Sequence, residues 1–583
     1  MSTSEYVRRR IITSLSALCL VLLAAPPARA ADPPARPNIV ILFVDDMGYS
    51  DVGCFGGEID TPNLDRLAAG GVRFTQFYNT SRCCPSRAAL LTGLYSHQAG
   101  IGMMVYRDHG PGYRGNLVEN CVTFGEVLRS AGYRTMMAGK WHAGHEAHSR
   151  PEVRGFDHFT GVYPHIDSYW KVLRACEIYR DKQLLIAAGE NPVNPYHPDE
   201  EFYTTDFFTD VALDYIDRAR TEPSKPFLLH VCYNVPHFPL EAPGALIEKY
   251  RGRYLAGWDR LREEKLARMK RLGIVAPGQK LPEVKGFVNQ KIAGFTQVGI
   301  ETGVLPRWDS LSEEDRRELD FRRAMYAAQI DRFDQNVGRI VRHLKKHGIL
   351  DDTLMLFFSD NGCSGEMELF GMNWGEYTSA NYAEWRKRGG WSISQGQCWA
   401  AYSNTPLRKY KKFVHEGGIA SPFIAHWPAG IHEPGRIVRR HAFHLIDVMP
   451  TLCEAAGADY PESYRGRKIT PAQGVSMLPS ICRADAEVEP RTLFWQHENH
   501  AAVREGRWKL VTVNDRAEDR WELYDLSDDR SESEDLAGQH PDVAQRLTRK
   551  WRHWAQRCNV VPYPEQRDAA KPVPWPPRPW PGP

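Results

Sequence analysis

Residues 39–44 read Ile-Val-Ile-Leu-Phe-Val, an unbroken apolar run rich in β-branched side chains. A strand with no polar face must be covered on both sides, which places it in a parallel sheet sandwiched by helices. The following residues repeat that grammar. Thr61-Pro62 opens a helix carrying Leu64 and Leu67 and ending at Gly70-Gly71, with threonine as cap, proline in the first turn and glycine at the end. A helix over 124–130 precedes a strand over 133–138, and a helix over 209–219 precedes a strand over 227–233. Tyr326, Ile330, Phe333, Val337, Ile340, Val341 and Leu344 recur mostly in steps of three and four and stop at Gly348. They predict a helix feeding buried strands at 353–358 and 422–427. The β-α-β order predicts a large doubly wound α/β domain on a mixed, mostly parallel sheet.

At 583 residues the chain is long for one compact domain. Residues 246–318, rich in Arg, Lys and Glu, read as an insertion on the rim. After 491 the pattern changes to short strands at 493–496, 501–503, 508–513 and 521–524 with a closing helix over 542–554, a smaller C-terminal α+β domain carrying an antiparallel sheet. The expected division is a signal peptide at 1–30, a catalytic domain at 31–485, the small domain at 486–560 and a proline-rich, extended or disordered tail at 561–583. Arg8, Arg9 and Arg10, an apolar stretch over 11–25 and Ala28-Arg29-Ala30 carry the signal-peptide reading, with cleavage near Ala30 and export to the periplasm or medium. The apolar stretch is too short for a stable membrane anchor, and Leu18 before Cys19 is not the small residue a lipid-modified cysteine wants. A net charge of +2 with no basic, aromatic-studded stripe argues against a nucleic-acid partner. Twelve cysteines without a dense framework or CxxC pair leave room for one or two bridges and assign none.

In an open α/β sheet, functional groups sit beyond the carboxyl ends of strands. The first strand runs into Asp45-Asp46, the next into Lys140-Trp141-His142, the third into Asn234-Val235-Pro236-His237, and the strand at 353 into Asp360-Asn361-Gly362. Alone, Asp45-Asp46 before Gly48 reads as a turn. With Asp360-Asn361 at an equivalent place, it reads as part of an oxygen-donor set whose three carboxylates would repel without a cation. Calcium suits such donors best, magnesium second, and the lack of His or Cys in the set argues against zinc.

Cys83-Cys84-Pro85-Ser86-Arg87 is followed by Ala88 to Leu91 and Thr92-Gly93, which puts Cys83 at a helix N-terminus where unpaired amides attract anions. Arg87 shares its face one turn on. An isolated cysteine of this kind reads as a buried core residue. This segment, however, matches C-x-P-S-R-x-x-x-L-T-G at every fixed position, and the chain resembles a sulfatase of the alkaline phosphatase superfamily. Thr61-Pro62-Asn63-Leu64-Asp65, Gly139-Lys140-Trp141-His142, Pro236-His237, Ser359-Asp360-Asn361-Gly362 and Glu416-Gly417-Gly418 extend the resemblance over about 37–536.

The resemblance implies an alkaline-phosphatase-like fold and a Cys83 converted to formylglycine by a maturation enzyme. Asp45, Asp46, Asp360 and Asn361 would bind calcium, with the modified Cys83 or bound sulfate completing the shell. Arg87 would steady the aldehyde hydrate, and Lys140, His142, His237 and Lys411 would line the sulfate pocket. Lys412 leaves the register of Lys411 ambiguous, and Ala143 stands where the family usually has leucine, a difference of packing. His237 would assist the leaving alcohol, and His142 would contact formylglycine or sulfate. The implied reaction is arylsulfatase-like cleavage of an aryl or carbohydrate sulfate. The rivals are a phosphodiesterase or phosphonate monoester hydrolase on the same fold and a non-catalytic, secreted glycan-binding protein. Asn79-Thr80-Ser81 is a glycosylation sequon beside the nucleophile, and His97 reads as packing more than as substrate contact. Substrate choice is expected from the loops over 163–202 and the inserted segment.

Overall fold

The computed structural model describes residues 36–561 apart from 106–107, 190, 293–295, 367–368, 373–377, 387–392, 499 and 513–520. The signal-peptide region, Cys19 and all but the first residue of the proline-rich tail over 561–583 therefore lie outside the described residues.

An eleven-stranded mixed sheet organises the fold, and the described residues form one compact unit. Its centre is β1 (Asn38–Asp45), whose neighbours β7 (Phe227–Pro236) and β8 (Thr353–Ser359) both run parallel to it. Beyond β7 come β3 (Arg134–Lys140) and β4 (His158–Val162), also parallel, then two short antiparallel strands, β5 (Ile178–Arg180) and β6 (Gln183–Ile186). On the other side β9 (Ala420–His426) runs antiparallel to β8, and β2 (Val72–Tyr78) antiparallel to β9. The run at 422–427 thus forms a buried strand but not a parallel one.

Double coverage follows from β1 itself. Val40, Leu42 and Val44 enter one apolar core with α1 (Pro62–Ala69), α4 (Thr204–Ala219) and α5 (Glu313–Lys346), whereas Ile39, Ile41 and Phe43 enter a second with α2 (Cys83–Thr92) and α3 (Phe124–Ser130). Thr61 occupies the cap position of α1, yet its hydroxyl accepts from Gly53 N at 2.8 Å rather than capping. The charged stretch over 246–318 holds two helices, Gly244–Tyr250 and Gly257–Arg271, and a hairpin of Lys285–Ile292 with Thr296–Val304. Its last residues belong to α5, which starts at Glu313, capped by the Ser312 hydroxyl. Lys265 within it is fully buried, so part of this stretch is core and not rim.

The C-terminal sheet is antiparallel in the order β10 (Thr492–His497), β11 (His500–Glu505), β12 (Trp508–Thr512), β13 (Trp521–Asp525). Helix α6 (Pro541–Arg557) covers it through Leu547, which meets Val503, Leu510 and Leu523. All described cysteines are free thiols, so the room left for bridges is not used among them. No helix among the described residues is long and apolar enough to cross a membrane.

Candidate active site

Because β1, β3, β7 and β8 are parallel, their carboxyl ends share one sheet edge. Register does the rest: Val44 pairs with Ser359, which brings Asp45 level with Asp360, and Asp45 pairs with Pro236. Asp46 turns sharply away with φ 68°, and its amide donates to Asp360 Oδ1 at 3.1 Å. Asn361 Nδ2 donates to Asp46 Oδ1 at 2.6 Å. Gly362 is required here, since a Cβ would lie 1.8 Å from the Gly417 carbonyl of the Glu416-Gly417-Gly418 turn.

Helix α2 begins at Cys83, is buried along its whole length and ends on Gly93 in the left-handed conformation. Cys83 is 2% exposed. Arg87 donates to the Lys140 carbonyl at 2.8 Å, approaches Asp45 at 3.4 Å and Asp360 at 3.6 Å, and lies over the Phe43 ring. Lys140 at the end of β3 pairs with Asp45, and Lys411 Nζ is 2.9 Å from Asp46. Lys412 pairs with Glu366 at 2.8 Å and is not among the residues paired with Asp46. His237 Nε2 is 3.6 Å from Asp46, and its Nδ1 donates to the Phe238 carbonyl. Ligand atoms of Cys83, Cys84 and His142 lie within 4.8 Å of one another, as do those of Asp45, Asp46 and His237. Every residue expected at the site is thus brought to this edge.

Three buried oxygens, Asp45 Oδ1, Asp360 Oδ2 and Asn361 Oδ1, have no hydrogen-bond partner, and neither ring nitrogen of His142 has one. Buried polar atoms left this way are costly and call for an explanation. Oxygen-only donors with two extra carboxylate atoms fit a hard divalent cation. The electrostatics agree: burial pushes the Asp360 carboxyl well above its usual range, and the nearby Asp45 carboxylate adds to it, against Arg87. Asp45 is also buried, but Lys140, His237 and Arg87 outweigh that and hold it low. A hydrogen bond from Cys84 lowers the Cys83 thiol far below its ordinary value, opposed by burial and aided by Lys140 and His142. Burial takes His142 down to about 3, so its ring is neutral at physiological pH.

Several residues here carried no sequence signal. Glu366 bridges Arg82 at 2.6 Å and Lys411 at 3.5 Å, fixing the lysine that reaches Asp46. His497, the last residue of β10, is 1% exposed with both ring nitrogens lacking hydrogen-bond partners. Burial, then Arg82 and Lys412, hold its pKa well below the ordinary value, and Cys83 acts in the opposite direction. The sequon residue Asn79 is fully buried, and His97 is buried against Gln496 Oε1 at 2.7 Å, a packing role. Ala143 is fully buried too.

A wide α/β sheet with helices on both faces and an anion-binding, oxygen-rich pocket at its carboxyl edge defines a hydrolase of charged esters. Residues 37–458 match the family model described as sulfatase, and residues 409–556 the one described as N-sulphoglucosamine sulphohydrolase, C-terminal. The chain is 31% identical to an uncharacterised sulfatase of Schizosaccharomyces pombe over 91% of this chain and 95% of that one. It is also 31% identical to an arylsulfatase of Klebsiella aerogenes over 76% and 91%. A solved protein in complex with its substrate D-glucosamine-2-N,6-O-disulfate superposes with a TM-score of 0.56 at 21% identity, covering 90% and 98%. The chain belongs to the sulfatase family, and its activity is the hydrolysis of sulfuric esters.

Proposed function

We propose that this protein is an exported, arylsulfatase-like enzyme that uses formylglycine, made from Cys83 by a maturation enzyme, and a calcium ion held by Asp45, Asp46, Asp360 and Asn361. The observation that carries the reading is the set of orphaned oxygens beside the buried N-terminal cysteine of α2. A hydrated aldehyde carries two hydroxyls on one carbon. One attacks sulfur and releases the alcohol; the other loses its proton and expels sulfate as the aldehyde re-forms. A serine or thiol would be left as a stable adduct. Calcium would supply charge stabilisation at the nonbridging oxygens.

The chain's own residues do the remainder. Arg87 holds the Cys83 side chain's oxygen against Asp45 and Asp360, and Lys140 and Lys411 meet the anionic sulfate oxygens. His237 has Nδ1–H committed to a carbonyl, so its Nε2 is the atom that hands a proton to the leaving alcohol. Burial disfavours the protonated ring, and Asp46 opposes that, keeping the proton within reach. His142, neutral, orients the nucleophile.

A sulfated carbohydrate is the natural substrate we favour. A cavity of about 870 Å³ is lined by Trp170, Lys171, Glu201, Phe202, Tyr382 and Arg386, and Trp170 follows Tyr169 in the chain. The Tyr169 hydroxyl lies 2.8 and 2.9 Å from the carbonyls of Asn234 and His237. Its aromatic rings suit the face of a sugar, beside Lys171 and an Arg386 already paired with Glu201. The test is turnover of nitrophenyl sulfate against the matching phosphate mono- and diesters and a panel of sulfated saccharides, with Cys83 examined by peptide mass analysis on the same sample. Formylglycine with a strong sulfate preference is the expected result. A large phosphate or phosphonate preference, or an unmodified thiol in active protein, overturns it.

A further inference from the structure

The helices α4 and α5 each feed a strand whose carboxyl end carries the site, so their own C-terminal ends lie at the opposite edge of the sheet. There His343, in the last turn of α5, and His347, its cap residue, stand one turn apart with ring centroids 4.5 Å from each other. Asp217, near the end of α4, points one oxygen at both: Oδ1 is 2.8 Å from His343 Nε2 and 3.3 Å from His347 Nε2. The three ligand atoms all lie within 4.8 Å of one another.

Paired surface charges are the simplest alternative for such a trio, but one detail argues against it. His347 Nε2 is shielded from solvent and has no hydrogen bond of acceptable geometry, although a carboxylate oxygen is close by. A shielded imidazole nitrogen with no hydrogen bond is free to serve as a metal ligand. Metal–nitrogen and metal–oxygen bonds of roughly 2.0–2.2 Å in a tetrahedron set donors about 3.4 Å apart. Two of the three separations are 2.8 and 3.3 Å, and the third is under 4.8 Å, so a side-chain adjustment brings the set to that geometry.

We propose that Asp217, His343 and His347 form a second metal site, for Zn2+ or the similarly borderline Ni2+ or Cu2+, remote from the catalytic pocket. Two imidazoles and a single carboxylate do not suit calcium. Asp217 is half exposed, so the remaining coordination position opens to water. Bound metal ties the end of α4 to the end of α5, the two helices that pack behind β7 and β8, and stabilises the fold by mass action.

The test uses the full chain with calcium saturating. Zinc chloride is titrated calorimetrically, and bound metal is counted after dialysis, for the wild type, the His343→Ala/His347→Ala variant and Asp217→Asn. Any zinc taken by Cys83, Cys84 and His142 is common to all three and cancels. The wild type should hold one equivalent more than the double variant, with micromolar affinity and a zinc-dependent rise in melting temperature. Asp217→Asn should weaken binding at least tenfold. Equal stoichiometry in wild type and double variant overturns the proposal, as does displacement of that zinc by millimolar calcium. Should the double variant fail to fold, His347→Gln with unchanged sulfatase activity serves, read by the same equivalent of zinc.

Discussion

Two buried charge clusters lie close together along the chain and behave in opposite ways. Asp51 and Glu58, just after Asp45 and Asp46, face Arg323 and Lys265: Arg323 is 2.9 Å from each acid, and Lys265 is 3.1 Å from Glu58. Both oxygens of Asp51 have partners, Oδ2 taking hydrogen bonds from Tyr326 at 2.8 Å and Gly48 N at 3.0 Å. The catalytic cluster also sets three acids, Asp45, Asp46 and Asp360, against three bases, Arg87, Lys140 and Lys411, yet leaves one oxygen each of Asp45 and Asp360 unpaired. The count of charges therefore does not separate scaffold from site. What separates them is how closely each carboxylate is met: Glu58 Oε2, though without a hydrogen bond, lies 3.1 Å from Lys265, whereas Asp360 Oδ2 comes no nearer than 3.6 Å to Arg87 and Asp45 Oδ1 has no hydrogen-bond partner.

The largest expected contrast comes from removing one group on each side. Cys83→Ala should cost at least about a thousandfold in turnover of nitrophenyl sulfate while leaving the melting temperature nearly unchanged. Arg323→Met should do the reverse, costing about 3–5 kcal/mol in a denaturant melt because two carboxylates lose their buried partner, with activity per folded molecule kept. Full turnover by Cys83→Ala, or an Arg323→Met protein as stable as the wild type, breaks the distinction.

Metal removal sharpens it further. Chelation should lower activity and melting temperature together, since the oxygens at the site lose their counter-charge. Asp360→Asn should then change sign with conditions: destabilising with calcium present and stabilising, by about 1–2 kcal/mol, in metal-free protein, where it relieves like-charge repulsion. The same variant scanned with and without calcium decides this, and a single sign in both refutes the metal reading. His497→Ala is expected to have a smaller effect, raising KM for a sulfated saccharide about tenfold while barely touching nitrophenyl sulfate, as a contact to the alcohol side of the ester would.

The distinction also explains what was readable in the sequence. β1, β7 and β8 announce themselves because they are apolar on both faces, and the ligands follow because strand ends are fixed by those runs. α2 is legible from Pro85 and Gly93. β2 is not, since Arg73 and Gln76 interrupt Val72–Tyr78 and mask a strand paired inside the sheet. The first turns of α5 and the buried Lys265 are hidden for another reason: hydropathy reads a charged stretch as surface, although its charges are neutralised by partners two hundred residues away. Cys83 acts on His497 across 414 positions of chain, and no local pattern reports such an influence.

The smallest effect concerns pH, and the sign differs between two buried glutamates. Glu58 is held far below its ordinary 4.5, by Lys265 and Arg323 against burial, so its contribution is complete above pH 4.5 and is lost as pH falls beneath that value. Glu241, fully buried and accepting from Ser168 at 2.9 Å, is pushed by burial up to about 7. Between pH 4.5 and 7 the folded state keeps a proton that the unfolded chain has released, so stability falls as pH rises across that window and levels off above it. Each group contributes a slope of at most about 1.4 kcal/mol per pH unit. Urea melts of Glu58→Gln and Glu241→Gln across pH 3.5 to 8, each compared with the wild type, resolve the two. The first variant should flatten the acid limb alone and the second the limb between 4.5 and 7. If Glu58→Gln leaves the acid limb unchanged, the Asp51–Glu58 cluster is not the tightly paired scaffold contrasted here with the catalytic pocket.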